Sequence, residues 1–377
     1  MKIGIITFHF ASNYGAVLQC YALQEYLTRR GHNVEVINYR PPYHMVRYAG
    51  WKNPFLVARE NWKRNKNERK IKRIYIYIRG FVRGIILSLK QTDRVKYRLF
   101  YDFTKKYLNQ TQTYRTVKQL RRNPPEDEVY VVGSDQLWNP DFTDFRFDNA
   151  YFLDFGAPTT KRLSYAVSMK EEYTAEEMAQ ILFLIQKLNS ISIRENNKDF
   201  EKNVERVVSI CIDPTLLLNS EDYRSLETNR LIPEPYVFIY GLENSEDLDH
   251  ATKIISKIQG LKVVNGSPRR TKISCECECV YNYSPKEFLS YIKYADFVIT
   301  NSFHGTAFSI IYQKSFVVIP HTKRGRRITE LLSELDLGAR IWGNEECEWN
   351  KKIDYISVNN RLQELRNNTK KYFDSNL

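Results

Sequence analysis

The feature that most constrains this chain is a pattern that opens it and later restarts: a short apolar run, a stretch of helical length, then another apolar run. Residues 3–8 read as a strand, 14–30 as a helix stopped by Gly31, and 33–38 as a second strand. Strands joined through a helix lie parallel, so the expected product is a parallel sheet covered by helices. Further strands read at 129–132, 163–167 and 190–194, with a helix over 175–188. After Asp213-Pro214 and the Pro233-Glu234-Pro235 break, the pattern begins again. Strands at 236–240, 262–264, 296–300 and 316–319 alternate with helices at 246–259, 285–294, 303–313 and 326–336. The expectation is an α/β chain with two Rossmann-like domains facing a central cleft, residues 1–225 and 226–358. A closing segment, 359–377, is expected to form a helix that packs back on the first domain.

Length and composition agree with a folded two-domain chain. The 377 residues include only 15 Gly and 13 Pro, and 42% are hydrophobic, which excludes fibrous and disordered classes. The longest apolar runs, 74–78, 181–185 and 236–240, are far too short to span a bilayer, and the N-terminus reads as a strand without a signal-peptide cleavage site. Six cysteines without a framework spacing point to a reducing cytoplasm.

The net charge of +13 has one source. Between Arg47 and Lys106 there are 18 Lys/Arg and four Asp/Glu, a local balance of +14, while the rest of the chain is near neutral. This stretch lies within residues 44–125, which lack strand signals and read as a basic helical insertion in the first domain. Over 71–90, Ile71, Tyr75, Ile78, Val82, Ile85 and Leu89 recur at helical spacing, with Arg79, Arg83 and Lys90 on another side. Two readings stay open: a helix covering the core with a solvated basic face, or peripheral contact with anionic lipid at the inner face of the cytoplasmic membrane. No nucleic-acid motif accompanies the charge.

Several short blocks carry possible chemistry. The strand 296–300 runs into Asn301-Ser302-Phe303-His304-Gly305, which places His304 at a helix start, where unpaired backbone N–H groups favour anions. Downstream, Lys323, Arg326 and Arg327 follow another strand end. Arg194 ends the strand at 190–194, and a guanidinium fork suits carboxylate or phosphate. Asn13-Tyr14-Gly15 and Ser134-Asp135-Gln136-Leu137-Trp138 follow strands of the first sheet and offer amide, hydroxyl, carboxylate and an indole face to a sugar. Cys275, Cys277 and Cys279 alternate as on an edge strand. Their spacing is narrower than a zinc site uses and a fourth ligand is missing, so no metal is expected.

Taken in order, Asn13-Tyr14-Gly15-Ala16-Val17-Leu18-Gln19, Gly133-Ser134-Asp135-Gln136-Leu137-Trp138-Asn139, Ser192-Ile193-Arg194-Glu195, Asp213-Pro214-Thr215 and Thr300-Asn301-Ser302-Phe303-His304-Gly305 resemble the polysaccharide pyruvyl transferase family. The resemblance implies a GT-B-like fold and transfer of the enolpyruvyl part of phosphoenolpyruvate to two sugar hydroxyls as a cyclic ketal. No cofactor beyond that donor is implied. It assigns His304 to the catalytic histidine, Arg194 to the arginine that holds the donor, and Phe303, through its backbone, to the phosphate. Many members carry an arginine two residues before the histidine, where this chain has Ser302; Arg326, Arg327 and Lys323 are the candidates for the missing charge. The implied acceptor is a lipid-diphosphate-linked sugar of capsule or exopolysaccharide assembly, with galactose as a 4,6-ketal as the family habit. The rival readings are a GT-B glycosyltransferase using a nucleotide sugar and a non-catalytic scaffold of the same fold.

Overall fold

Each half of the chain builds its sheet outward from its first strand. The computed structural model describes residues 1–65, 68–89, 91–268, 271–320, 325–343 and 345–377. They divide into two compact units, Met1–Pro214 with Tyr372–Leu377, and Thr215–Lys371.

In unit 1 the order is β1 (Lys2–Ile6), α1 (Tyr14–Arg29), β2 (Asn33–Val36), α2 (Pro42–Tyr48), α3 (Pro54–Arg64), α4 (Lys70–Ser88), α5 (Gln91–Tyr107), α6 (Val117–Arg122), β3 (Val129–Val132), β4 (Lys161–Ser164), α7 (Ala175–Leu184), β5 (Ile191–Ile193), α8 (Lys198–Asn203) and β6 (Val208–Ile210). The sheet runs β2-β1-β3-β4, all parallel. Single bridges, Leu163 to Ser190 and Val167 to Ile193, carry it on to the parallel pair β5-β6. The inner strands carry the apolar core: every residue of β3 is buried, and Ile3, Ile5 and Ile6 of β1 are fully so.

The 44–125 insertion is helical, as α2 to α6, and it also adds a little extended backbone. Gln110 and Tyr114 bridge Val36 and Tyr39 at the outer edge of β2. The reading of 71–90 as a helix laying its apolar face on the core does not hold: that face is turned outward. In α4 the buried residues are Gly80, Gly84 and Ser88, while Ile71, Ile78 and Val82 are exposed. The reason is steric: a Cβ at Gly84 would stand 2.6 Å from Pro54 Cα, and one at Gly80 2.6 Å from Asn61 Nδ2. The close approach to α3 therefore needs the small-residue face, and the bulky face is left outside.

Unit 2 contains β7 (Tyr236–Tyr240), α9 (Glu246–Gln259), β8 (Lys262–Asn265), β9 (Glu278–Cys279), α10 (Pro285–Lys293), β10 (Phe297–Thr300), α11 (Phe303–Ile311), β11 (Ser315–Val318), α12 (Arg326–Glu334) and most of α13 (Tyr355–Asn376). Its sheet runs β11-β10-β7-β8-β9, again all parallel. The units divide at Pro214, upstream of the expected 225. Tyr223 packs edge-on against Phe308 at 5.2 Å, and Glu227 accepts from Lys293 and from Tyr312, which ties 215–227 to unit 2. The last turn of α13 counts with unit 1: Tyr372 Oη donates to Ser164 O at 2.7 Å, and fully buried Phe373 meets the rings of Tyr26 and Tyr165.

Candidate functional site

In both sheets the first strand is central, and the chain leaves it to one side before returning on the other. This creates a topological switch point at the carboxyl ends of β1 and β3 in unit 1, and of β7 and β10 in unit 2.

The unit 1 switch point is closed by Thr7, whose Oγ1 donates to Ser134 O at 2.8 Å and accepts from Gln19 Nε2 at 2.8 Å. Arg194 lies beside it in a buried ion cluster. Its Nη1 donates to Asp213 Oδ2 at 2.5 Å and to Ser134 Oγ at 3.2 Å, and its Nε to Glu195 Oε1 at 2.9 Å. Glu195 also accepts from Ser168 Oγ at 2.7 Å, and Asp213 from Ser134 Oγ at 3.2 Å. Burial alone would lower the pKa of the guanidinium; the carboxylates of Glu195 and Asp213 outweigh it and raise the pKa, so the charge is fixed. Two residues at this edge have positive φ, Asp135 at 125° and Ala166 at 46°, conformations of non-glycine residues that persist only where their surroundings hold them.

The acceptor candidates fare unequally. Asn13 is exposed and caps α1, its Oδ1 accepting from Ala16 N at 3.3 Å, and Asp135 is partly exposed. Tyr14, Gly15 and Ser134 are buried, Tyr14 against Phe100 with ring centres 4.9 Å apart. Trp138 offers no face to a sugar. It is fully buried, stacks on Phe152 at 5.3 Å and donates Nε1–H to Tyr151 O at 2.9 Å, so the indole is a core residue.

In unit 2 the switch point is clasped by Asn301, whose Oδ1 accepts from Leu242 N at 2.6 Å and whose Nδ2 donates to Glu243 O at 3.1 Å. Ser302 caps α11, its Oγ accepting from Gly305 N at 3.4 Å. Phe303 is buried, and His304, the second residue of the helix, is half-buried with its ring edge-on to Phe303 at 5.3 Å. Gly305 is required here: a Cβ would collide with Thr300 Oγ1, the hydroxyl that accepts from Ser302 N and donates to Tyr240 O. The imidazole thus stands where the first amides of α11 point out of the sheet edge, an arrangement suited to an anion and a proton donor side by side.

β11 is the next strand, with Ile319 N donating to Thr300 O at 2.9 Å, so α11 and α12 begin at neighbouring strand ends. Arg326 and Arg327 are half-buried on the first turn of α12, and Arg326 Nε donates to Glu330 Oε1 at 2.8 Å. Lys323 lies outside the described residues. Cys277 and Cys279 face the same way, their sulfurs 3.6 Å apart, and among the described residues no group of His, Cys, Asp and Glu could hold a metal ion.

Sequence reasoning gave no role to Asp213, Glu195 or the Asn301 clasp, although all three stand inside or next to the quoted blocks. A carboxylate within one residue of a buried strand-end arginine was the available signal.

Among solved structures, the chain is similar to a putative UDP-N-acetylglucosamine 2-epimerase from Listeria monocytogenes, at 8% identity over 97% of this chain and 90% of that one, with a TM-score of 0.46. A UDP-GlcNAc 2-epimerase from Methanocaldococcus jannaschii is similar at 11% identity, 97% and 93% coverage and a TM-score of 0.45. The glycosyltransferase SnogD from Streptomyces nogalater is similar at 13% identity, 98% and 95% coverage and a TM-score of 0.38. No curated protein sequence matches significantly. The sequence profile of the polysaccharide pyruvyl transferase family matches residues 13–323, a span that runs from the cap of α1 through Arg194 to His304 and beyond, and the chain belongs to that family.

Proposed function

We propose that this transferase moves the enolpyruvyl group of phosphoenolpyruvate onto two hydroxyls of a sugar, forming a cyclic ketal and releasing inorganic phosphate. The observation that carries the reading is the placement of His304 on the first turn of α11, at the carboxyl end of β10 and next to the Asn301 clasp. His304 gives a proton to the methylene carbon, which makes the central carbon electrophilic. One sugar hydroxyl adds there, phosphate departs with the C–O bond electrons, and the second hydroxyl closes the ring. The two hydroxyl protons leave to the base form of the histidine and to solvent.

The donor's phosphate is received by the amides of Phe303 and His304 and the hydroxyl of Ser302, with Arg326 and Arg327 on the neighbouring helix start and Lys323 just before it. The family resemblance assigns Arg194 of unit 1 to the donor as well, and there its charge is already paired with Asp213 and Glu195. On the acceptor side, Asn13 and Asp135 keep access to solvent and are the side chains for sugar hydroxyls. A lipid-diphosphate-linked galactose taking a 4,6-ketal is the acceptor this reading favours, at the cytoplasmic face where such precursors are assembled.

The test is phosphate release from phosphoenolpyruvate with a panel of lipid-linked and aryl β-galactoside acceptors. Acceptor-dependent release is expected, and His304→Ala is expected to lower it by about 10²- to 10⁴-fold. Wild-type turnover in His304→Ala would remove the histidine from the chemistry. Saturable binding of a nucleoside diphosphate with no turnover of phosphoenolpyruvate would replace the reading with a nucleotide-sugar enzyme.

A further inference from the structure

The α3–α4 hairpin presents the molecule's most conspicuous apolar surface to water. Along α4, the side chains of Ile71, Tyr75, Ile78, Val82, Ile86 and Leu89 form one continuous stripe, with exposures as high as 84% at Ile71 and 71% at Leu89. At 1.5 Å per residue it runs roughly 27 Å. Trp51 and Phe55, each 65% exposed, extend it beside the α3 end, where Phe55 meets Phe81 with ring centres 4.9 Å apart. The face is fixed by construction, because the opposite side of α4 is the Gly80, Gly84 and Ser88 surface locked against α3. Patches of this size on a soluble surface mark a docking site.

Charge identifies what docks. Three of the segment's four carboxylates are engaged, Glu60 by Lys63, Glu68 by Lys72 and Asp102 by Arg98, while Arg79 and Arg83 stand exposed along one flank of the stripe. The stretch from Arg47 to Lys106 carries a balance of +14. A second copy of this face would bring two such surfaces together and repel. A convex stripe of aliphatic side chains edged by Trp, Tyr and arginine suits instead the boundary of an anionic bilayer, with acyl chains under the stripe and headgroup phosphates beside the guanidinium groups. No described helix is long and apolar enough to cross a membrane.

We propose that the α3–α4 hairpin is an anionic-membrane docking element that buries the outward stripe of α4 in the lipid interface. The inference is independent of the proposed reaction.

The experiment is co-sedimentation of the intact protein with phosphatidylcholine vesicles with and without phosphatidylglycerol. Binding to the phosphatidylglycerol vesicles is expected and should weaken about tenfold or more in the double variant Arg79→Gln/Arg83→Gln. The double variant Ile78→Glu/Val82→Glu should lose at least about tenfold even at low salt, with an unchanged thermal unfolding midpoint because the buried face of α4 is untouched. Wild-type protein that ignores phosphatidylglycerol vesicles, or an Ile78→Glu/Val82→Glu variant that binds as wild type, would overturn the proposal. So would binding to polyglutamate in place of vesicles, which would indicate an acidic protein partner, or a stripe-dependent dimer in place of vesicle binding.

Discussion

At the carboxyl edge of unit 1 an arginine is buried between two carboxylates, and at the corresponding edge of unit 2 a histidine stands half-buried on the first turn of a helix. Both edges sit at a switch point of a parallel sheet, and both are tied across it, by Thr7 and Ser134 in one unit and by Leu242 and Asn301 in the other. Unit 1 neutralises its polar groups against one another, so that geometry and stability depend on the same atoms. Unit 2 meets its backbone needs with Asn301, Ser302 and Thr300, and its imidazole stands half-buried at the helix start with, among the described residues, no buried carboxylate pair beside it of the kind that encloses Arg194. A switch point can therefore be built as a support or as a working surface, and the difference should be measurable.

The largest expected effect separates the two edges directly. Arg194→Ala leaves Asp213 and Glu195 buried without their cation and should cost about 3–5 kcal/mol in urea unfolding, whereas His304→Ala should change stability by less than about 1 kcal/mol. Equal losses of stability in the two variants would erase the contrast.

A smaller effect comes from buried histidines of unit 1. Burial, reinforced by Arg40, lowers the pKa of His9 to about 4, and burial lowers that of His44 to about 3. Because the unfolded chain takes up these protons near pH 6.5, stability is lost as pH falls below that value. Asp127 acts in the opposite sense, since burial and nearby Glu35 raise its pKa to about 6, and the folded state keeps this proton where the unfolded chain has released it. The net loss from about pH 7 to about pH 5 should be roughly 2 kcal/mol, and His9→Gln/His44→Gln should abolish it. A double variant as acid-sensitive as wild type would mean that other groups govern the slope.

The smallest expected effect tests the clasp of unit 2. Asn301→Ala removes two hydrogen bonds between strand ends and should cost about 1–2 kcal/mol. It should also lower phosphoenolpyruvate-dependent turnover, because the start of α11 loses its anchor. Unchanged turnover would show that Gly305 and Thr300 position His304 without it.

Periodicity and punctuation made the parallel sheets legible before any coordinates. The first βαβ unit, with Gly31 past the end of α1, and the position of His304 between strand and helix both follow from local rules that tertiary packing did not override. Side-chain direction was less legible. The stripe of α4 has the spacing of a core-facing helix, and only the Gly80-Gly84-Ser88 series, which permits close helix contact, signals that the other face is the buried one. Trp138 looked like a sugar platform because an indole after a strand end serves either purpose, and only the aromatic cluster around Phe152 and Tyr151, nearby in sequence, decides it. The engagement of Arg194 depended on Asp213, which sits on a different strand end and is brought near by the β5-β6 pairing rather than by sequence adjacency.

The division of α13 has a consequence for biosynthesis. Phe373 fills a fully buried place in unit 1, and Tyr372 holds the end of β4, yet both leave the ribosome after every residue of unit 2. Of the two units, the one made earlier is therefore completed later, because its contacts with Tyr26 and Tyr165 wait for Phe373 to be synthesised.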